Sequence, residues 1–281
     1  VLEDTIGFSL RDLPEPPPSP MAHAEHTGVW PQKDGNYYVG FSPKAGRVAG
    51  HQLRVVAKLA EAYGQGRVRT TTQQKMVILD VPRERVEDLE QELETLDLPV
   101  HPSTWRKGTM ACTGIEFCKL AIVETKGRAA ELYRYLEERI PDLDEDIRIN
   151  VNGCPNSCAR YQTADIGLMG CQVTEKLTAQ QNGDGPAKRR VEAFLVHLGG
   201  HLGEGRAFGR KARGVKVLAS EVGPYVETLV RRYRKLRTDD DESFSSFVGR
   251  LSDAELQGFA AKPHFTGLPP APTAAAEPRA S

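Results

Sequence analysis

At 281 residues the chain is long enough for one large or two ordinary domains and needs no disulfide staples. Its 37 Lys+Arg nearly cancel its 38 Asp+Glu, which argues against a general binder of nucleic acid or of membrane surfaces. No apolar run approaches the roughly 20 residues of a membrane span, and no charged-then-apolar leader opens the sequence. Five cysteines at motif spacing suit a metal site in a reducing cytoplasm better than a secreted disulfide framework.

Residues 1–27 read as a linker, because Leu13-Pro-Glu-Pro-Pro-Pro-Ser-Pro20 is polyproline-like and carries no apolar period. A linker at the start, after a first residue that is Val and not Met, suggests a segment that precedes it. A first domain is expected over 28–100. Tyr37, Tyr38, Val39 and Phe41 form a strand ended by Ser-Pro, and Val48, Leu53, Val56, Leu59 and Ala62 mark a helix over about 47–63 with Gly64 as its C-cap. The β-branched stretch 67–80 reads as two strand segments around Gln73-Gln74, followed by an amphipathic helix over 83–96 on Val86, Leu89, Leu93 and Leu96. Strand–helix–strand–helix in this span predicts an α+β unit of ferredoxin-like kind.

A second, mixed α/β domain is expected over 105–255. A helix over 127–139 is stopped by Pro141, and Ile147 to Val151 alternates as a strand that runs straight into Cys154. Residues 165–170 form a strand or turn, 174–190 a polar loop or hairpin, and 191–198 a strand. Helices follow at 220–236, 243–250 and 252–260. The Pro/Ala-rich end, 262–281, reads as a disordered tail.

Four of the five cysteines stand as two close pairs, Cys112-Thr-Gly-Ile-Glu-Phe-Cys118 and Cys154-Pro-Asn-Ser-Cys158, with 35 residues between them. Four thiolates suit a soft metal. A C-x5-C pair is wide for a zinc knuckle and closer to the loops that hold iron–sulfur clusters. Spacing alone leaves three readings open: a 4Fe-4S cluster, a structural zinc ion, or unligated core thiols. Gly153 allows close backbone approach to an inorganic core, and Pro155 fixes the turn.

The residues around the pairs resemble the sirohaem- and 4Fe-4S-containing nitrite and sulfite reductase family. The likeness runs from Met110 through Lys126, through Val151-Asn-Gly-Cys-Pro-Asn-Ser-Cys158 and Ala164-Asp-Ile-Gly-Leu-Met-Gly170, to Val196-His-Leu-Gly-Gly-His-Leu-Gly203. It also reaches back through Arg69-x-Thr71-x-x-Gln74 to Tyr37-Tyr-Val-Gly40, and so covers about 28–255. The resemblance implies that Cys112, Cys118, Cys154 and Cys158 ligate a cluster and that the Cys158 sulfur is also the axial ligand of a sirohaem iron. It implies the six-electron reduction of nitrite to ammonia or of sulfite to sulfide, with the loop residues placing nitrite first and ferredoxin or a similar protein as electron donor. The alternative is a cluster-only protein of electron transfer or cofactor handling.

In that family the distal Arg and Lys residues that meet the oxyanion come mainly from an N-terminal half related to this one by internal repetition. Only one Arg-x-Thr-x-x-Gln stretch occurs here, so the chain reads as the C-terminal half, with its catalytic residues on the missing half or on a companion subunit. Arg69, Thr71 and Gln74 are candidate cofactor contacts or residues of the interface between repeats. Asn156 is a candidate donor to sulfur or to a cofactor carboxylate, or simply a turn residue. Arg106, Lys107 and Arg160 flank the cluster loops, as helix-end charges or as cofactor contacts. His197 and His201 read as structural, and Cys171 as a buried free thiol. The basic run Arg206 to Arg213 is either a solvated loop or a docking face for an acidic donor.

Overall fold

The computed structural model describes residues 5, 7–9, 26–177, 187–202 and 206–263. The linker expected over 1–27 and the tail over 262–281 fall almost wholly outside the described residues, as do 178–186 in the expected loop. Among the described residues no helix is long and apolar enough to cross a membrane.

The first unit is an antiparallel sheet of four strands in the order β1-β2-β4-β3. The strands are β1 (Gly28–Pro31), β2 (Tyr37–Phe41), β3 (Val68–Thr70) and β4 (Met76–Val81). Two helices, α1 (Gly50–Tyr63) and α2 (Val86–Thr95), cover it. Their apolar faces, Val56, Leu59 and Ala60 on one and Val86, Leu89 and Leu93 on the other, close over Val39, Phe41, Ile78 and Val81 in one core. Strand β1 has no signal of its own length; it exists because its Val29 and Trp30 pair with Val39 and Tyr38.

A short helix, α3 (Thr104–Gly108), capped by the Ser103 hydroxyl, leads into the second unit. Its sheet runs β5-β6-β7-β8-β9 in sequence order. Strands β5 (Thr109–Ala111), β6 (Ile149–Asn152) and the start of β7 (Ile166–Leu177) are parallel; β7, β8 (Ala187–Leu198) and β9 (Arg210–Leu218) are antiparallel. The crossover from β5 to β6 carries α4 (Lys126–Arg139), as a parallel pair requires. Helix α5 (Val222–Leu236) lies with α4 on one face of the sheet, and α6 (Phe244–Arg250) and α7 (Asp253–Ala260) close the end. Leu132, Tyr133 and Leu136 of α4 share a core with Ile149, Val151, Ile166 and Leu168 of the sheet and Val226, Leu229 and Tyr233 of α5. Each such fully buried aliphatic side chain contributes ~1.5–3 kcal/mol.

The two sheets bear out the expected ferredoxin-like half and mixed α/β domain. The solvated-loop reading of the basic run Arg206 to Arg213 is corrected in part: from Arg210 on, the run opens strand β9, Arg210–Leu218. Its alternation is masked because the register with β8 slips between Leu195 and His197, so buried Ala212 and Val217 stand at opposite parity.

Asp165, at the mouth of β7, is buried, and its Oδ2 accepts from the Arg148 amide at 2.9 Å. Burial pushes its carboxyl up to about 7, with the nearby Glu145 adding to the rise. A carboxyl with a raised folded-state pKa binds its proton more tightly in the native state, so stability falls as pH rises from about 4 to about 7 and then levels. Asp165→Asn keeps the acceptor and removes the charge. In urea denaturation at pH 5 and pH 8, the variant is expected to gain stability over wild type at pH 8, by up to a few kcal/mol, and little at pH 5. An equal gain at both pH values contradicts the account.

Candidate cluster site

Parallel pairing of Ala111 with Val151 continues one step further, where the Cys112 amide donates to the Val151 carbonyl at 3.0 Å. That step sets the first cysteine of one pair beside the strand end that leads into the second pair. The Gly153 amide then donates to the Cys112 sulfur at 3.2 Å, and the Ile122 amide to the Gly153 carbonyl at 2.9 Å. Within the first loop the Cys118 amide bonds the Gly114 carbonyl at 3.0 Å, and the Ala121 amide the Cys118 carbonyl at 3.2 Å. The two cysteine loops are thus laced together by backbone. Gly153 is required there: a Cβ would stand 2.9 Å from the Ala121 methyl and 3.3 Å from the Val123 carbonyl. Gly114, at φ +75°, is required twice over, since a Cβ would also stand 2.4 Å from the Thr125 hydroxyl.

Cys112 and Cys154 are buried, Cys118 is half-buried and Cys158 is exposed. Among the described residues no three His, Cys, Asp or Glu side chains form a group that could hold a single metal ion. A zinc ion needs four donors about one point, whereas a cluster carries its own irons between the thiolates. The fit to a cluster therefore rests on donor chemistry: four free thiols on two laced loops, one sulfur already accepting a backbone N–H, and, at the end of the strand that leads into the second pair, a buried carboxamide whose polar atoms have no partner. That carboxamide is Asn152, fully buried, with neither its Nδ2 nor its Oδ1 hydrogen-bonded among the described residues. These residues fit an iron–sulfur cluster, and an outward-facing Cys158 fits a thiolate shared with a macrocycle iron.

The other sequence-predicted residues fall into two groups. Gln74 is a bridge between the units: its Nε2 donates to the Ala111 carbonyl at 2.7 Å, and its Oε1 accepts from Lys126 Nζ at 3.0 Å. It adopts φ +59°, a left-handed conformation rare for a side chain of this size, in a turn where Thr71 Oγ1 accepts from the amides of Gln73 and Lys75. Gly46, at φ +71°, makes room, since a Cβ there would stand 2.7 Å from Gln74. Lys126 also donates to the Ala45 carbonyl at 2.6 Å; burial, with Arg47 nearby, pulls its ammonium down to about 8. Arg160, itself at φ +53°, reaches the Thr72 carbonyl at 2.7 Å and Gln73 Oε1 at 3.1 Å. Arg106 joins the Ser42 carbonyl and Asp97, and Lys107 pairs with Asp146. Thus Gln74, Thr71, Arg160 and Arg106 serve the seam between the two units. Sequence reasoning missed Lys126 and Asn152; the signal for the second was a polar residue at a strand end leading into a ligand pair.

Arg69 and Asn156 are exposed. Cys171 is a free thiol as expected but only half-buried, on a strand beside Lys211 and Lys216, and partial burial raises its thiol. His197 packs on Tyr161 with ring centroids 4.7 Å apart, and His201 pairs by backbone with Ala207. Arg210 is committed inward, to the carbonyls of Val248 and Leu251 and to Asp253, which leaves Lys211, Arg213 and Lys216 as the exposed charges of β9.

Comparison with known proteins agrees with this geometry. Residues 30–96 match the family model described as the nitrite/sulfite reductase ferredoxin-like half domain, and 106–246 that of the nitrite and sulphite reductase 4Fe-4S domain. The chain is 48% identical over 255 residues to "Sulfite reductase [ferredoxin] 1" of Mycolicibacterium paratuberculosis, covering 89% of this chain and 44% of that one. It is 35% identical over 223 residues to the assimilatory ferredoxin-dependent nitrite reductase of Haloferax mediterranei, covering 79% and 36%. The solved structure of the Mycobacterium tuberculosis NirA protein superposes with a TM-score of 0.78 at 44% identity, over 91% of this chain and 45% of that chain. The chain therefore spans less than half the length of these relatives.

Gln74→Ala removes both halves of the bridge and leaves the Lys126 ammonium short of an acceptor. A loss of about 1–3 kcal/mol in urea denaturation is expected. Gln74→Gly, which suits the left-handed backbone, is expected to recover only part of it. A Gly variant as stable as wild type would show that the strain, and not the bridge, governs this turn.

Proposed function

We propose, for a chain that belongs to the nitrite and sulfite reductase family, the role of cluster-bearing half of a ferredoxin-dependent sulfite or nitrite reductase. Cys112, Cys118, Cys154 and Cys158 would hold a 4Fe-4S cluster, and the exposed Cys158 sulfur would also bind the iron of a sirohaem. The observation that carries this reading is the placement of the cysteines: two laced loops that bury Cys112 and Cys154 and turn Cys158 outward. Sirohaem, when bound, supplies an iron on which a small oxyanion is reduced by six electrons. The chain's own residues prepare for it. The Gly153 amide stabilises the Cys112 thiolate, Pro155 and the left-handed Ser157 turn the second loop outward, and Arg160 locks the end of that loop to the Thr72–Gln73 turn. Asn156, two residues before Cys158, is exposed, which supports a role as donor to a cofactor carboxylate.

The distal Arg and Lys residues that bind the oxyanion and deliver protons belong to a further half, on the same polypeptide or on a companion subunit. The relatives' length supports this, since each extends well beyond what this chain matches. So does the first cysteine loop, which exposes Phe117 by 76%, Leu120 by 65% and Ile115 by 52%, an apolar surface a partner half would cover. A ferredoxin donor, an acidic protein, would find Lys211, Arg213 and Lys216 on β9. Sulfite takes precedence over nitrite as substrate, because the relative of 48% identity is named a sulfite reductase and that of 35% a nitrite reductase.

In the complete enzyme, this chain together with its further half, Cys158→Ser is expected to abolish turnover of both oxyanions and the electronic coupling between cluster and sirohaem seen by EPR and optical spectroscopy. Cys171→Ser is expected to leave both within about twofold. A Cys171 variant that loses its cluster while the Cys158 variant keeps it would overturn the ligand set.

A further inference from the structure

Asn152 is an unusual residue to bury. Its carboxamide is wholly enclosed, and leaving such a group without partners costs about 1–3 kcal/mol. Its neighbour two residues back, Asn150, shows how the same strand treats the same side chain when a partner exists: Asn150 Nδ2 donates to the Arg160 carbonyl at 3.1 Å. Alternation along β6 sends Ile149 and Val151 into the main core and Asn150 and Asn152 to the opposite face. On β5 the same alternation sends Ala111 to the core, whereas Met110 and Cys112 lie in a separate small cluster with Ala159. The parallel register ends at Ala111–Val151, and the Cys112 amide bond to the Val151 carbonyl carries the pairing one step on, so alternation puts Asn152 and Cys112 on the same face of the sheet.

The surroundings of the Cys112 sulfur leave work for that carboxamide. The Gly153 amide is the only backbone donor to it among the described residues, and the Thr125 hydroxyl, whose oxygen lies 3.8 Å from the sulfur, spends its own proton on the Cys112 carbonyl at 2.7 Å. We propose that Asn152 is a positioning residue for the cluster: its Nδ2–H, which no sulfur of the described residues accepts, donates to an inorganic sulfide of the bound cluster on the Cys112 side, and so sets the cluster's reduction potential. This rests on the cluster reading above. A hydrogen bond to sulfur stabilises the reduced, more negative cluster over the oxidised one. Asn152 therefore raises the potential and eases the uptake of electrons from a donor of low potential. A hydroxyl at the same position would give part of the effect, an isosteric apolar side chain none.

The test is an EPR-monitored redox titration of the cluster-loaded protein carrying Asn152→Leu or Asn152→Thr. The expected result is a midpoint potential in the order wild type, Thr variant, Leu variant, from highest to lowest. The full wild-type-to-Leu shift is near a tenfold change in the reduction equilibrium, about 59 mV for one electron. Proton ENDOR of the reduced wild-type cluster is expected to show an exchangeable coupling that is lost in the Leu variant, and that is altered in the Thr variant should the Leu variant fail to assemble. Midpoints that coincide in cluster-loaded proteins, or an unchanged set of exchangeable couplings, overturn the role of Asn152 and leave the ligand assignment standing. A wild-type protein that takes up no cluster at all overturns both.

Discussion

The parallel pairing of β5 with β6 is the constraint on which the site depends. Two cysteine pairs separated by 35 residues meet because β5 ends one residue before Cys112 and β6 ends two before Cys154. The length between them is used by the crossover helix that parallel strands require, and α4 is anchored by Leu132, Tyr133 and Leu136 in the core. Backbone hydrogen bonds then finish what the strands begin, from the Cys112 amide to Val151 and from the Gly153 amide to the Cys112 sulfur. The proposed four-thiolate site, built this way, would inherit the rigidity of a sheet edge.

The second element of the design is the seam. The turn between β3 and β4, with Thr71, Gln73 and Gln74, is pressed against β5 and the second cysteine loop through Ala111, Lys126 and Arg160. Two side chains there hold left-handed backbone, and one glycine exists to make room. Strain of this kind persists only where surrounding contacts hold it in place. The ferredoxin-like half thereby supports the cysteine loops through polar turn residues that bond to backbone and side chains of the second unit.

Much of this was legible in the sequence. The helices over Val56–Leu59, Leu89–Leu93 and Val226–Tyr233 carried a clear apolar period, and the cysteine loops carried their own chemistry in Gly153, Pro155 and the spacing. Less legible were β1, β5 and β9. The first two are short and take their strand form from their partners. The third has a register slip that breaks the period-two signal on which strand recognition depends. The roles of Gln74 and Arg160 were visible only as two alternatives, because a polar side chain at a loop reads the same whether it meets a cofactor or a neighbouring carbonyl. Asn152 carries no such pair of alternatives: in the alternation Ile149-Asn150-Val151-Asn152 it reads as the solvent-facing side of a half-buried strand until its burial and its missing partner are known.

The central claim is that Cys112, Cys118, Cys154 and Cys158 hold an iron–sulfur cluster. It is tested most directly by metal and sulfide analysis of protein purified without oxygen. The account predicts iron and acid-labile sulfide in equal amounts, near four of each per chain when fully loaded, with both lost on replacing either buried cysteine. Stoichiometric zinc with no acid-labile sulfide would contradict it.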